Sequence, residues 1–222
     1  MKKYLITALL CVVMIAAMAP PASAAGSNSN YTACMMAIRE QRAIQAQAHI
    51  TADRLRELGY GENSPYLQAA KNNWSSAKKN IQGYLRLSQY TDEDIRILAT
   101  TVFYEAGCTT EEMREYVAQV VLNRVADRRF PNTIYSVVTQ PGQYAGDYVT
   151  AAATQAIKDK DARNGTHYYN TCVNSAKKAM MGKVDMPSNV IFQANFTQGS
   201  GIWKAIYFNS GYFSSTSYYC YG

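Results

Sequence analysis

Glu105 is the residue of this 222-residue chain whose setting best suits acid–base chemistry. It stands in Thr-Val-Phe-Tyr-Glu-Ala-Gly, at the end of an apolar run and directly before Gly107. Ile95, Leu98, Ala99, Val102 and Ala106 recur at helical intervals, so the pattern predicts a helix with one buried face and Glu105 in its last turn. A helix C-terminus carries partial negative charge, and apolar neighbours such as Phe103, Tyr104 and Ala106 desolvate a carboxylate. Both effects raise its pKa, which keeps a proton available near neutrality, as a general acid requires.

Further along stand groups suited to hold a sugar or to support such an acid. Gln140-Pro141-Gly142-Gln143 fits a type II turn, with proline second and glycine third, and projects Gln143 and Tyr144 as substrate contacts. Gln193 and Asn195 follow the apolar triplet Val190–Phe192, a short strand, and are read as two more. Asn123 and Arg124 come near the end of a second helix, where an amide and a guanidinium fix loop carbonyls or the last turn of the first helix. They are read as structural supports of the site. Most of the 18 tyrosines are expected to fill a small β-rich part with their hydroxyls at its rim. Neither a metal nor a cofactor is expected: His49 and His167 are the only histidines, and C-x-x-C and H-E-x-x-H are absent.

The carboxylate count bears on mechanism. A hydrolytic glycosidase normally uses two carboxyl groups, about 5 Å apart in retaining enzymes and about 6.5–9.5 Å apart in inverting ones. Asp127, Asp147 and Asp185 are available as partners of Glu105, but none sits in a motif.

The elements that must position these groups read as follows. Thr91 opens the central helix, with Asp94 three residues on as a capping box and Asp92 and Glu93 in the first turn. Thr109-Thr110-Glu111-Glu112 reads as a second capping box, for a helix lined by Met113, Val117, Val120, Val121 and Val125. Pro131 ends it, and Asn132 or Thr133 caps a short helix through Val138. Helical composition returns over Tyr148–Lys160, Asn164-Gly165 marks a turn, and Thr166–Met181 reads as a helix closed by Gly182.

Ahead of this domain, residues 31–88 read as a helical hairpin. Ala37, Ile44, Ala48, Leu55 and Leu58 form a narrow stripe on the first helix, and Gly59-Tyr60-Gly61 breaks it. Ser64-Pro65 starts the second helix, with Leu67, Ala70, Trp74, Ala77, Ile81 and Tyr84 as a coiled-coil-like seam. So narrow a seam buries little by itself. The hairpin is an appendage, either a module that anchors to the wall or pairs with a second copy or a partner protein, or a plain extension of the main domain.

Residues 1–24 carry Lys2 and Lys3, an apolar run from Leu5 to Ala19 and Ala22-Ser23-Ala24, which reads as a cleaved signal peptide and predicts a secreted protein. Gly, Ser and Asn over 25–30 read as a disordered lead. The formal charge of +6 falls to +4 without the signal, twenty basic against sixteen acidic residues. That excess suits an anionic polymer, and no nucleic-acid partner is expected. Cys34, Cys108, Cys172 and Cys220 remain in the exported part, an even number, which predicts one or two disulfides among three possible pairings.

Taken in order, Tyr104-Glu105-Ala106, Val121-Leu122-Asn123-Arg124-Val125, Phe130-Pro131-Asn132-Thr133, Val137-Val138 and Gly142-Gln143-Tyr144 resemble the SleB-type cell-wall hydrolases, the spore-cortex-lytic family. The resemblance spans about a quarter of the chain. It implies an α+β, predominantly α, lysozyme-like catalytic domain with a small β element over 89–222, in which Glu105 cuts peptidoglycan and the segment after Pro187 forms the far wall of the sugar groove. It further suggests a lytic transglycosylase, which needs one acid/base. Family members often read E-A-R-G-E where this chain has Glu105-Ala106-Gly107-Cys108-Thr109, and G-x-H-x-F where the terminus is tyrosine-rich. These departures keep two other readings open: a two-carboxylate muramidase-type hydrolase, and an inactive wall-glycan-binding protein.

Overall fold

The computed structural model describes residues 28–222, so the signal segment predicted at 1–24 and the start of the lead at 25–30 lie outside the described residues. The rest of the lead is ordered: Asn28 caps a helix that begins at Ser29, its side chain accepting from the Tyr31 N–H. The described chain divides into two units, 28–89 and 90–222.

The first unit is a pair of helices, α1 (Ser29–Glu57) and α2 (Pro65–Leu87). Gly59 adopts φ +82, a conformation that side chains resist, and Pro65 takes the first helical position of α2. The seam of α1 runs through Cys34, Ile38, Ala48, Ala52 and Leu55. It is rotated from the predicted stripe, which leaves Ile44 38% exposed, because Gln41 and Gln45 take the central seam positions and Gln41 accepts a bond from Asn80 at 3.1 Å. On α2, Leu67, Ala70, Ala77 and Leu87 are buried, while Trp74 stands at the seam's edge. Asn30 donates to the Leu87 carbonyl at 2.9 Å and ties the open end of the pair.

The second unit is α+β and predominantly helical, as expected. It contains α3 (Asp92–Ala106), α4 (Glu111–Ala126), α5 (Ile134–Val138), a 3-10 turn (Gly146–Tyr148), α6 (Ala151–Asn164), α7 (Tyr168–Met180) and strands β1 (Val190–Ala194), β2 (Gly201–Asn209) and β3 (Ser214–Tyr221). Thr91 and Asp94 form the reciprocal capping box. The cap of α4 is Thr110 rather than Thr109, whose hydroxyl instead donates to the Ala106 carbonyl and closes the corner after α3. Thr133, not Asn132, caps α5. The antiparallel sheet has order β1-β3-β2. It lies on α4, where Tyr116 and Val120 meet Val190 and Tyr219, and Trp203 packs edge-on to Tyr116. The core of α3, α4 and α7 is branched and closely filled: Leu98, Val102, Val117, Val120 and Cys172 are fully buried.

The predicted disulfides do not form: Cys34, Cys108, Cys172 and Cys220 are free thiols. Three are buried and act as small apolar core groups, and burial pushes the Cys172 thiol up to about 12. Cys108 is exposed on the corner between α3 and α4.

Candidate active site

Glu105 sits in the last turn of α3, where the sequence pattern put it. The residue is open to solvent, yet its carboxyl is crowded by surrounding protein. Desolvation raises its pKa, against two weaker opposing effects: a backbone hydrogen bond from Ala145 and the positive field of Arg124. Desolvation disfavours the charged form, and the anion, once formed, meets an N–H and a cation that stabilise it.

Ala145 reaches Glu105 because a strap after α5 is fixed at both ends. Gln143 N–H donates to the Gln140 carbonyl, and Gly142 takes φ +72, so the predicted turn forms as read. At Gly146 a Cβ would stand 2.6 Å from the Val138 carbonyl oxygen, so the chain passes there only as glycine. At the far end Arg96 of α3 donates to the Val149 carbonyl at 2.8 Å and the Thr154 hydroxyl at 2.7 Å, while the Thr100 and Thr154 hydroxyls share a 2.9 Å bond.

Arg124 is 4% exposed and organises the opposite side. Its Nε donates to the Ile191 carbonyl at 2.7 Å and its Nη1 to Gln143 Oε1 at 3.0 Å. The guanidinium lies between two rings, 5.2 Å from the centre of Phe130 and 5.0 Å from that of Tyr144. Its positive field reaches the Glu105 carboxyl. Asn123 donates to the Pro187 carbonyl at 2.9 Å and the Val190 carbonyl at 2.8 Å and accepts from Gln119 at 2.9 Å. Together Asn123 and Arg124 hold the start of β1 to the end of α4.

The structure brings Tyr144 close to Glu105 and Arg124, and both alter its acidity. Burial first, then the Glu105 charge, push the Tyr144 hydroxyl up to about 12, against Arg124. That hydroxyl is buried with no hydrogen-bond partner. Gln193 Oε1 is likewise buried and unpartnered, two residues along β1 from Ile191, and Asn195 is exposed just beyond the strand. The Gln143 amide oxygen is already engaged by Arg124, which leaves its NH₂ end for a ligand.

Of the second acids considered, Asp127 is committed to Arg129, at 2.7 Å, whose guanidinium holds its carboxyl down to about 2. Asp185 is exposed in the loop before β1, and Asp147 is exposed in the 3-10 turn two residues after Ala145. Sequence reading missed the Ala145 N–H, the direct electrostatic reach of Arg124 to Glu105, and the tilted contact of Tyr104 with Tyr148, ring centres 5.3 Å apart. The first belongs to the backbone and leaves no mark on residue type. The other two join residues 19 and 44 positions apart in the chain.

One carboxyl with a raised pKa thus lies beside a backbone N–H and a buried cation. Residues 109–211 match the Cell Wall Hydrolase family model. The matched stretch contains Asn123, Arg124, Gln143, Tyr144, Gln193 and Asn195 and begins four residues after Glu105. Among solved structures, the chain is similar to the catalytic domain of the germination-specific lytic transglycosylase SleB from Bacillus anthracis, at 20% identity and TM-score 0.38, over 59% of this chain and 97% of that one. It is similar also to the catalytic domain of the Bacillus cereus SleB protein, at 19% identity and TM-score 0.39, over 59% and 92%. No curated protein matches the chain.

Proposed function

We infer that this protein is a peptidoglycan lytic transglycosylase that cleaves the MurNAc–GlcNAc glycosidic bond with Glu105 as its single acid/base, working outside the membrane at the wall. The observation that carries the reading is the electrostatic setting of Glu105: desolvation raises its pKa, while the Ala145 N–H and Arg124 stand ready for the moment it loses its proton.

In the first half of the reaction Glu105 gives its proton to the glycosidic oxygen as the bond to the muramic C1 breaks. The anion formed is held by the Ala145 N–H and by Arg124. In the second half the C6 hydroxyl oxygen of the same muramic residue bonds to C1, and its proton passes to Glu105. The carboxyl is restored, the product is an anhydro sugar, and no water is consumed. Tyr144 and the amides of Gln143, Gln193 and Asn195 line the sugar, the unpartnered Tyr144 hydroxyl and Gln193 oxygen being groups that a glycan satisfies.

Incubation of the protein with purified peptidoglycan, followed by mass spectrometry of the fragments, tests this. Anhydro-muramic ends that disappear with Glu105→Gln are expected. Reducing ends in their place would make the enzyme a hydrolase and point to Asp147, exposed beside the strap, as the second carboxyl.

A further inference from the structure

The charge of the chain is distributed unevenly between its two units. Residues 90–222 hold twelve basic and twelve acidic side chains, whereas residues 28–89 hold eight basic against four acidic. The whole excess of the described chain therefore lies on the helical hairpin.

Much of it lies on one face. A groove between α1 and α2 has a floor of Ala48, Ala52 and Ala70 and is walled by His49, Arg56, Lys71 and Trp74. Helical periodicity extends both walls. Arg42 stands seven residues before His49, as His49 stands seven before Arg56, and Lys78 stands seven after Lys71, so each row repeats at about 10 Å along its helix. Lys78 Nζ lies 5.3 Å from the Trp74 ring centre, and Trp74 is 39% exposed between the rows. The acids on this face are Asp53 and Glu62, gathered toward the turn with His49, Arg56 and Lys71 in exposed pairs. Such pairs contribute little and exchange readily for other anions. Arg42 and Lys78, toward the middle of the hairpin, have no ion pair among the described residues.

We propose that this groove binds a linear anionic glycopolymer of the wall, with the two cation rows on its charges and Trp74 against a sugar or polyol unit. Three features fit a polymer better than a small ligand. The charged wall on α1 runs from Arg42 to Arg56, the cations repeat at regular intervals, and the floor is of small residues that let a chain lie close. An aromatic ring beside cations suits a repeating unit that is part sugar or polyol and part phosphate or carboxylate. The proposal shares with the preceding section only the wall as its location, so binding and cleavage are measured separately.

The test uses the full chain with Glu105→Gln, so that the walls stay intact, co-sedimented with sacculi that carry their phosphate polymer and with the same sacculi stripped by hydrofluoric acid. Binding is expected to fall as salt rises from about 0.05 to 0.5 M, and to weaken about tenfold when Arg42, Lys71 and Lys78 are all changed to Gln. Trp74→Ala is expected to weaken it without altering the salt dependence. Loss of binding on stripping identifies phosphate as the anion; binding to stripped walls that the triple variant still loses identifies the carboxylates of peptidoglycan. The same three changes in the Glu105 protein leave cleavage of soluble glycan fragments unchanged. Wall binding that ignores both salt and the triple variant overturns the proposal. So does retention on anionic phospholipid vesicles equal to that on walls.

Discussion

The hairpin and the hydrolase domain use buried polar groups differently, and that difference tells where geometry has to be fixed. In the hairpin, polar groups join the helices at few places, Gln41 to Asn80 and Asn30 to the Leu87 carbonyl, and alanines set a close seam. In the domain, Asn123 and Arg124 are each less than 6% exposed and bind carbonyls more than sixty residues away, while Glu115 of α4, also buried, pairs with Lys178 of α7 at 2.5 Å. A seam of small side chains needs only register. The proposed proton-transfer site needs one carboxyl held against one N–H and one cation, and buried hydrogen bonds hold such a geometry because breaking any of them leaves a costly unpaired group.

The largest expected effect falls on the chemistry and spares the fold. Glu105→Gln is expected to reduce release of soluble peptidoglycan fragments about 10²–10⁴-fold, the usual contribution of a positioned general acid. Turnover within tenfold of wild type would remove Glu105 from the mechanism. Next comes Leu67→Ala, at a position of 0% exposure in the hairpin seam, expected to cost about 2–5 kcal/mol. The comparison predicts that this cost appears in the melting of the hairpin and leaves cleavage of soluble glycan fragments unaltered. Coupled loss of both would show the two units to be one cooperative body.

Asn123→Ala is expected to cost about 1–3 kcal/mol in denaturant unfolding, because the Pro187 and Val190 carbonyls lose their donor, and to lower activity by loosening β1. Equal loss from Gln41→Ala, whose bond is only part-buried, would erase the contrast between the units. Arg124→Gln removes a field that lowers the Glu105 pKa, so the descending limb of the pH–rate profile is expected to move to higher pH as overall rate falls. A limb that stays in place would show that Arg124 serves structure alone.

The smallest effect concerns stability. The Glu105 pKa is raised on folding, so its contribution is fully present below the unfolded value and is lost as pH rises through the folded one. Glu105→Gln has no charge to desolvate. Its melting midpoint is expected to exceed that of wild type at about pH 8 and to meet it at about pH 4. A constant difference across that range would show that the carboxyl is not desolvated in the folded protein.

The helices and turns around the site were legible in the sequence because their signals are local. Thr91 with Asp94, Pro141 before Gly142, and the apolar spacing from Ile95 to Ala106 each act within a few residues. The hairpin stripe was harder to read, since alanines fit several faces of a helix and only Gln41 meeting Asn80 fixes which one is inside. Strands β2 and β3 were unplaced because Tyr-, Ser- and Thr-rich segments become strands by pairing, and the register that joins Tyr218 both to Ala194 and to Ala205 is a long-range property. The disulfides were mispredicted because an even count of cysteines says nothing of where four thiols lie.

By itself, then, the sequence determined a carboxyl at the end of a buried helix, and residues 109–211 match the Cell Wall Hydrolase family model. Only the tertiary structure decided what that carboxyl meets. Helical position places a residue in a last turn through short-range geometry. The Ala145 N–H, the Arg124 field and the desolvation that together set its acidity come from segments 19 and 40 residues away, brought together by packing.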